Sequence, residues 1–168
     1  QRVGLTRTFL PWFPPDSVQP ARLVWLWPMT ASPARALDGV QLNEQTAAEL
    51  APGGRLAQLV EEGAGSKVTW VLDPALLQTA EDMTDGYQVV GTSEPRVTGG
   101  GSAQARDWLT SVKRVTEGSP TVATSYALPD VMALERADMK QTIAVATQRA
   151  AADVSAAVEA GLAQAAAG

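Results

Sequence analysis

The chain contains no cysteine and no histidine. Without Cys it has no disulfides, no thiolate nucleophile and no Cys-ligated metal. Without His it has no Ser-His-Asp triad, no imidazole-ligated zinc and no histidine general base. Carboxylates, Tyr, Lys, Ser and Thr are what remain for chemistry, and no cofactor is implied. Lysine is scarce, with Lys67, Lys113 and Lys140 against ten arginines, and charged residues make up only 18 % of the chain. The net charge of −5 comes with no Lys/Arg cluster. A protein that tracks phosphates needs a basic stripe, so this pattern argues against a nucleic-acid partner. No apolar run approaches the roughly 18 residues of a membrane span. The chain begins at Gln1 with no signal-peptide pattern and is expected to be a piece of a larger protein. Any membrane attachment is then expected through parts outside this segment.

The 168 residues suffice for one domain with a sizeable core. Val3, Leu5, Thr8 and Leu10 alternate loosely, which predicts a short strand over residues 1–12. We read it as the end of a preceding β-sandwich-like region, or as an arm lying on this domain. Pro11-Trp12-Phe13-Pro14-Pro15-Asp16 then opens a rigid linker over residues 13–20. Trp12 and Phe13, set between prolines, read either as a plug pinning the arm to the core or as a protein-binding anchor.

From residue 21 onward, apolar runs alternate with helical patterns. Arg22-Leu23-Val24-Trp25-Leu26-Trp27-Pro28 is continuously apolar after its Arg, which predicts a strand buried on both faces. A short helix is expected over Asn43 to Leu50, with Asn43 as N-cap and Thr46 where a capping box wants Glu or Gln. Pro52-Gly53-Gly54 separates it from a helix starting at Arg55, whose Leu56, Leu59 and Val60 share one face. Lys67 to Leu72 predicts a second strand. Asp73-Pro74 then supplies an N-cap and a first-turn proline for the helix Pro74–Met83. Tyr87 to Val90 reads as a short extra strand within an irregular stretch. A helix over Ser102 to Thr116, a third strand over Pro120 to Tyr126, and a helix over Val131–Arg136 capped by Asp130 follow. Asp138 is expected to cap a long Ala-rich helix reaching about Ala166, with an apolar stripe of small side chains.

Strands separated by helices imply parallel β/α units with right-handed crossovers. Three such units fill about half of an eight-stranded β/α barrel of about 250 residues. The expected fold class is therefore α/β, part of a degenerate β/α barrel, with a small three-stranded α/β layer as the other possibility. In such folds functional groups gather at strand C-terminal ends. That singles out Trp27, Asp73, Tyr126 and Asp130. Asp73 and Asp130 read as an acid–base pair of a sugar-processing barrel, or simply as two helix caps. Trp27 reads as a sugar-stacking ring or as packing, and Trp25 and Trp70 as packing. Gly99-Gly100-Gly101-Ser102 lacks the Lys-Ser/Thr that a phosphate-binding loop requires, so it reads as a turn.

Four motifs in order carry a family resemblance: Thr8-Phe9-Leu10-Pro11-Trp12-Phe13-Pro14, Leu23-Val24-Trp25-Leu26-Trp27-Pro28-Met29, Leu50-Ala51-Pro52-Gly53-Gly54-Arg55-Leu56, and Val68 through Leu77. Together they resemble a family of uncharacterised actinobacterial envelope proteins. Its members are large, secreted, anchored by a C-terminal membrane helix, and encoded beside the lipid II flippase of peptidoglycan synthesis. The resemblance runs over most of residues 8–137. It implies more barrel after this segment, a β-sandwich-like region before it, and an extracytoplasmic location in the cell envelope. The same family has a distant look of polysaccharide deacetylase and glycosidase barrels. This chain departs from that pattern: the Asp-Asp expected after the first strand is replaced by Trp27-Pro28-Met29, and there is no His-x-x-x-His element. The resemblance thus implies a non-catalytic accessory or scaffold role, with the flippase as the protein partner. A carbohydrate-binding or carbohydrate-active barrel using Asp73 and Asp130, with a glycan as ligand, is the other expectation.

Overall fold

The computed structural model describes residues 8–10, 21–36, 38–91 and 95–150. Its element order is β1 (Trp25–Met29), α1 (Gln45–Leu50), α2 (Arg55–Gly63), β2 (Val68–Leu72), α3 (Pro74–Thr84), β3 (Gln88–Val90), β4 (Arg96–Thr98), α4 (Ser102–Thr116), β5 (Thr121–Ala123) and α5 (Val131–Arg136). A further helical stretch covers 140–150. The fold is mixed α/β, and its main sheet has three strands in the order β1-β2-β5. Both pairings are parallel, with Trp27 beside Trp70 and Met29 beside Leu72 in the first, and Leu72 beside Ala123 in the second. Each new strand joins the same growing edge, as in a barrel. With three strands the sheet does not close. β3 and β4 form a separate antiparallel hairpin.

The helices bury one face of the main sheet. Met29, Trp70 and Leu72 point to that face and join Leu56, Val60, Leu76, Met83, Ala105 and Trp108 in the core. α2 supplies this face through Leu56 and Val60, as its periodicity predicts. α3 and α4 pack against each other behind β2. Side chains alternate along a strand, so Leu26, Pro28, Val71 and Val122 lie on the opposite face. There Leu26 is 61 % and Val122 47 % exposed.

This corrects the expectation of a first strand buried on both faces. β1 is an edge strand covered on one side only, and the hydrophobicity of its sequence did not distinguish the covered face from the bare one. Trp25, expected to pack, is 66 % exposed, whereas Trp70 on the central strand is 2 % exposed. Three further expectations shift. β4 was not anticipated; its three residues are too few to show a period. Asn43 does not cap α1. Glu44 occupies the N-cap position without a side-chain cap bond, and Asn43 Oδ1 instead accepts from Gln45 N at 2.9 Å. Asp138 stands at φ +55 and lies 3.9 Å from Lys140 Nζ, so it closes the turn after α5 rather than capping the next helix.

Residues 8–10 carry no strand, and Phe9 and Leu10 are exposed. The rest of the expected N-terminal strand, Trp12, Phe13, the linker over 13–20 and the helix past residue 150 lie outside the described residues. Among the described residues no helix is long and apolar enough to cross a membrane.

The triple-glycine run has a packing role. Tyr87 is 7 % exposed, and its hydroxyl donates to Glu44 Oε2 and accepts from Gly101 N at 3.0 Å. Glu44 Oε1 accepts from Gly100 N at 3.0 Å. This network ties the start of α1 to the start of α4. A Cβ on Gly99 would lie 2.2 Å from the Tyr87 ring, so only glycine lets the backbone pass there.

Candidate functional site

The C-terminal ends of β1, β2 and β5 open into a cleft of about 650 Å³. Parallel sheets bring strand ends together in this way. The loop after β1 contributes Ala31 to Ala36, β2 contributes Asp73, α3 contributes Thr79, and the loop after β5 contributes Tyr126 and Ala127. Asp38, Gly39, Thr46 of α1 and Arg149 also line it. A second hollow of about 490 Å³ continues past Ala31 to Pro33, beside Arg55 and Glu49.

Asp73 holds this region together. It is 3 % exposed. Its Oδ1 accepts from Ala75 N at 3.0 Å, capping α3 as the Asp-Pro sequence predicts. The same oxygen accepts from Ala127 N at 3.2 Å, across the sheet. Burial raises the Asp73 pKa above its ordinary 3.8, opposed by these two backbone bonds. Ala127 and Leu128 stand at φ +60 and +44, a left-handed pair of non-glycine residues that costs energy to hold. The bond to Asp73 fixes this turn against the end of β2.

Three of the lining residues, Arg35, Tyr126 and Arg149, meet in a polar group centred on Gln78. Its Oε1 accepts from Tyr126 OH at 2.5 Å, from Arg149 Nη2 at 3.0 Å and from Arg35 Nη2 at 3.2 Å. Arg35 pairs with Asp82 and also reaches Tyr126 OH at 3.3 Å. The Arg149 guanidinium stacks on the Tyr126 ring, 3.9 Å from its centroid. Two arginines, the buried Asp73 and the exposed Asp38, which pairs with Arg96 at 2.7 Å, therefore line the cleft.

The sequence candidates divide accordingly. Asp73 and Tyr126 meet in the cleft. Asp130 lies outside it: exposed, with Oδ1 accepting from Ala133 N at 2.9 Å as the cap of α5. Trp27 does not reach the cleft either. Its indole Nε1 donates to Leu59 O of α2 at 2.8 Å, on the helix-covered face. Arg35, Gln78, Thr46 and Arg149 were not singled out from sequence. Their only signal was position, since Arg35 lies in the loop after a strand and Gln78 and Thr46 on helix faces. Among the described residues no group of three or more acidic side chains converges as a metal ion would require. No family model, curated protein or solved structure matches this chain.

Proposed function

We propose that this chain is a non-catalytic accessory or scaffold domain of an extracytoplasmic cell-envelope protein, in contact with the lipid II flippase. The observation that carries the non-catalytic reading is the use made of the two strand-end carboxylates. Asp73 Oδ1 accepts from Ala75 N and Asp130 Oδ1 from Ala133 N, so each serves its own helix. A glycosidase pair needs both carboxyls in one cleft, about 5–10 Å apart with a sugar between them. Here Asp130 stands outside the cleft, so the Asp73/Asp130 pair of the carbohydrate-active alternative is not assembled.

The bare sheet face supports the view that more protein belongs here. Parallel sheets are normally covered on both sides. The helices cover one side of β1-β2-β5, while Leu26 and Val122 remain exposed on the other. We take the three strands as a sector of a degenerate β/α barrel, whose further strands add to the free edges and enclose that face. The envelope setting and the flippase partner rest on the resemblance of the four sequence motifs. Cross-linked membranes carrying the full protein test them: affinity capture is expected to recover the flippase. Recovery of no envelope-synthesis protein would contradict the reading.

A further inference from the structure

The cleft at the strand ends holds polar groups that no described residue satisfies. Thr46 is 6 % exposed, and its hydroxyl has no hydrogen-bond partner among the described residues. Asp73 places both of its hydrogen bonds on Oδ1 and none on Oδ2. Among the described residues, the side-chain oxygens sealed from solvent without a partner are Gln41 Oε1 and Gln104 Oε1. Thr46 Oγ1 and Asp73 Oδ2 are not among them, so both keep contact with the open space of the cleft they line. A ligand in the cleft can therefore reach both.

Charge narrows what could pair with them. An anion entering the cleft meets the buried Asp73 carboxylate and that of Asp38 at the rim, which is paired with Arg96. A cation meets the Arg35 and Arg149 guanidinium groups. A neutral molecule bearing several hydroxyls meets neither penalty. It can donate to Asp73 Oδ2, donate to or accept from Thr46, and accept from the arginine side. The walls between these groups are small apolar side chains, Ala34, Ala75 and Ala127 among them, suited to the C–H faces of a ring. The volume of about 650 Å³ lies in the middle of the range for small-molecule sites.

We propose that this cleft binds a neutral polyhydroxylated ligand of one or two sugar rings, held by Asp73, Thr46 and the arginine side of the wall. The proposal goes beyond the scaffold reading and does not depend on the flippase. The test is a titration of the isotope-labelled full chain, followed by NMR, with glucose, N-acetylglucosamine and maltose in turn. Inorganic phosphate and lysine serve as the anionic and cationic comparisons. At least one sugar is expected to shift resonances of residues 31–36, 73–79 and 126–127, with millimolar affinity. Thr46→Val and Asp73→Asn should each weaken it on the order of five- to ten-fold, the loss of one buried hydrogen bond. Thr46→Val preserves shape, so it remains informative if Asp73→Asn disturbs the fold. The proposal is overturned if no sugar perturbs the cleft, if phosphate or lysine binds there in place of sugar, or if Thr46→Val leaves the affinity unchanged. Flippase capture by Thr46→Val should equal that of the parent protein, so the two readings fail separately.

Discussion

Replacing Asp73 by alanine should cost far more than replacing it by asparagine. Alanine removes the side-chain acceptor that Ala75 N and Ala127 N share. Loss of an N-cap costs about 1 kcal/mol, and a half-buried amide left without its partner costs about 1–3 kcal/mol more. Both amides border the cleft, where water can replace part of what is lost, and removing a desolvated carboxylate returns some energy. A net cost of roughly 2 kcal/mol follows. With a urea m-value of about 2 kcal/mol/M, the unfolding midpoint should fall by roughly 1 M. Asparagine keeps an oxygen at the Oδ1 position and caps helices as well as Asp does, so Asp73→Asn should stay within about 1 kcal/mol of the parent. The pH dependence gives a second reading. The folded pKa of Asp73 is raised above 3.8, chiefly by burial. The folded state therefore holds this proton more tightly than the unfolded chain does. Its contribution is full below 3.8 and is lost as pH rises through the folded pKa. The parent should thus lose stability relative to Asp73→Asn over that interval. Equal midpoints for Asp73→Ala and the parent, or an Asn variant as damaged as the Ala variant, would refute the reasoning.

Three other perturbations probe separate parts of the fold. Gly99→Ala should lower the thermal midpoint, because its Cβ would lie 2.2 Å from the Tyr87 ring; the cost expected for such overpacking is about 1–3 kcal/mol. Gly100→Ala, with nothing within 4 Å, should not do so. Tyr87→Phe should cost about 1–2 kcal/mol, measured by urea denaturation. In the parent, burial and then the hydrogen bond to Glu44 push the Tyr87 phenol from 10.0 up to about 12. The stability it adds is full below 10.0 and is lost as pH rises through about 12, which a spectrophotometric phenol titration can follow. Leu26→Asp on the bare face should change the stability of this chain by less than about 0.5 kcal/mol. Trp70→Ala on the covered face should cost about 3–5 kcal/mol. Equal costs would show that the helices do not define the core side.

The parts legible in the sequence were those set by local chemistry. Asp73-Pro74 and Asp130 announced their helices because a cap acts within three residues of itself. The α2 face followed from its period. Strand burial was not legible in the same way: Leu23 to Met29 is apolar throughout, and only the placement of the helices decides that Met29 is covered and Leu26 is not. The cleft was half legible. Strand ends pointed to Asp73 and Tyr126, but the bond from Ala127 N to Asp73 spans 54 residues and the Tyr126–Gln78 bond spans 48. Contacts of that separation leave no mark in spacing. Thr46 illustrates the limit: in sequence it looked like a poor capping residue, whereas in the fold it is a buried hydroxyl in the cleft wall.

The most direct measurement of the central claim is affinity capture of the full protein from cross-linked membranes, with cell-wall glycan hydrolysis assayed on the same preparation. The account predicts recovery of the lipid II flippase and no hydrolysis above background. Hydrolysis that disappears in Asp73→Asn, with no envelope-synthesis protein captured, would contradict it.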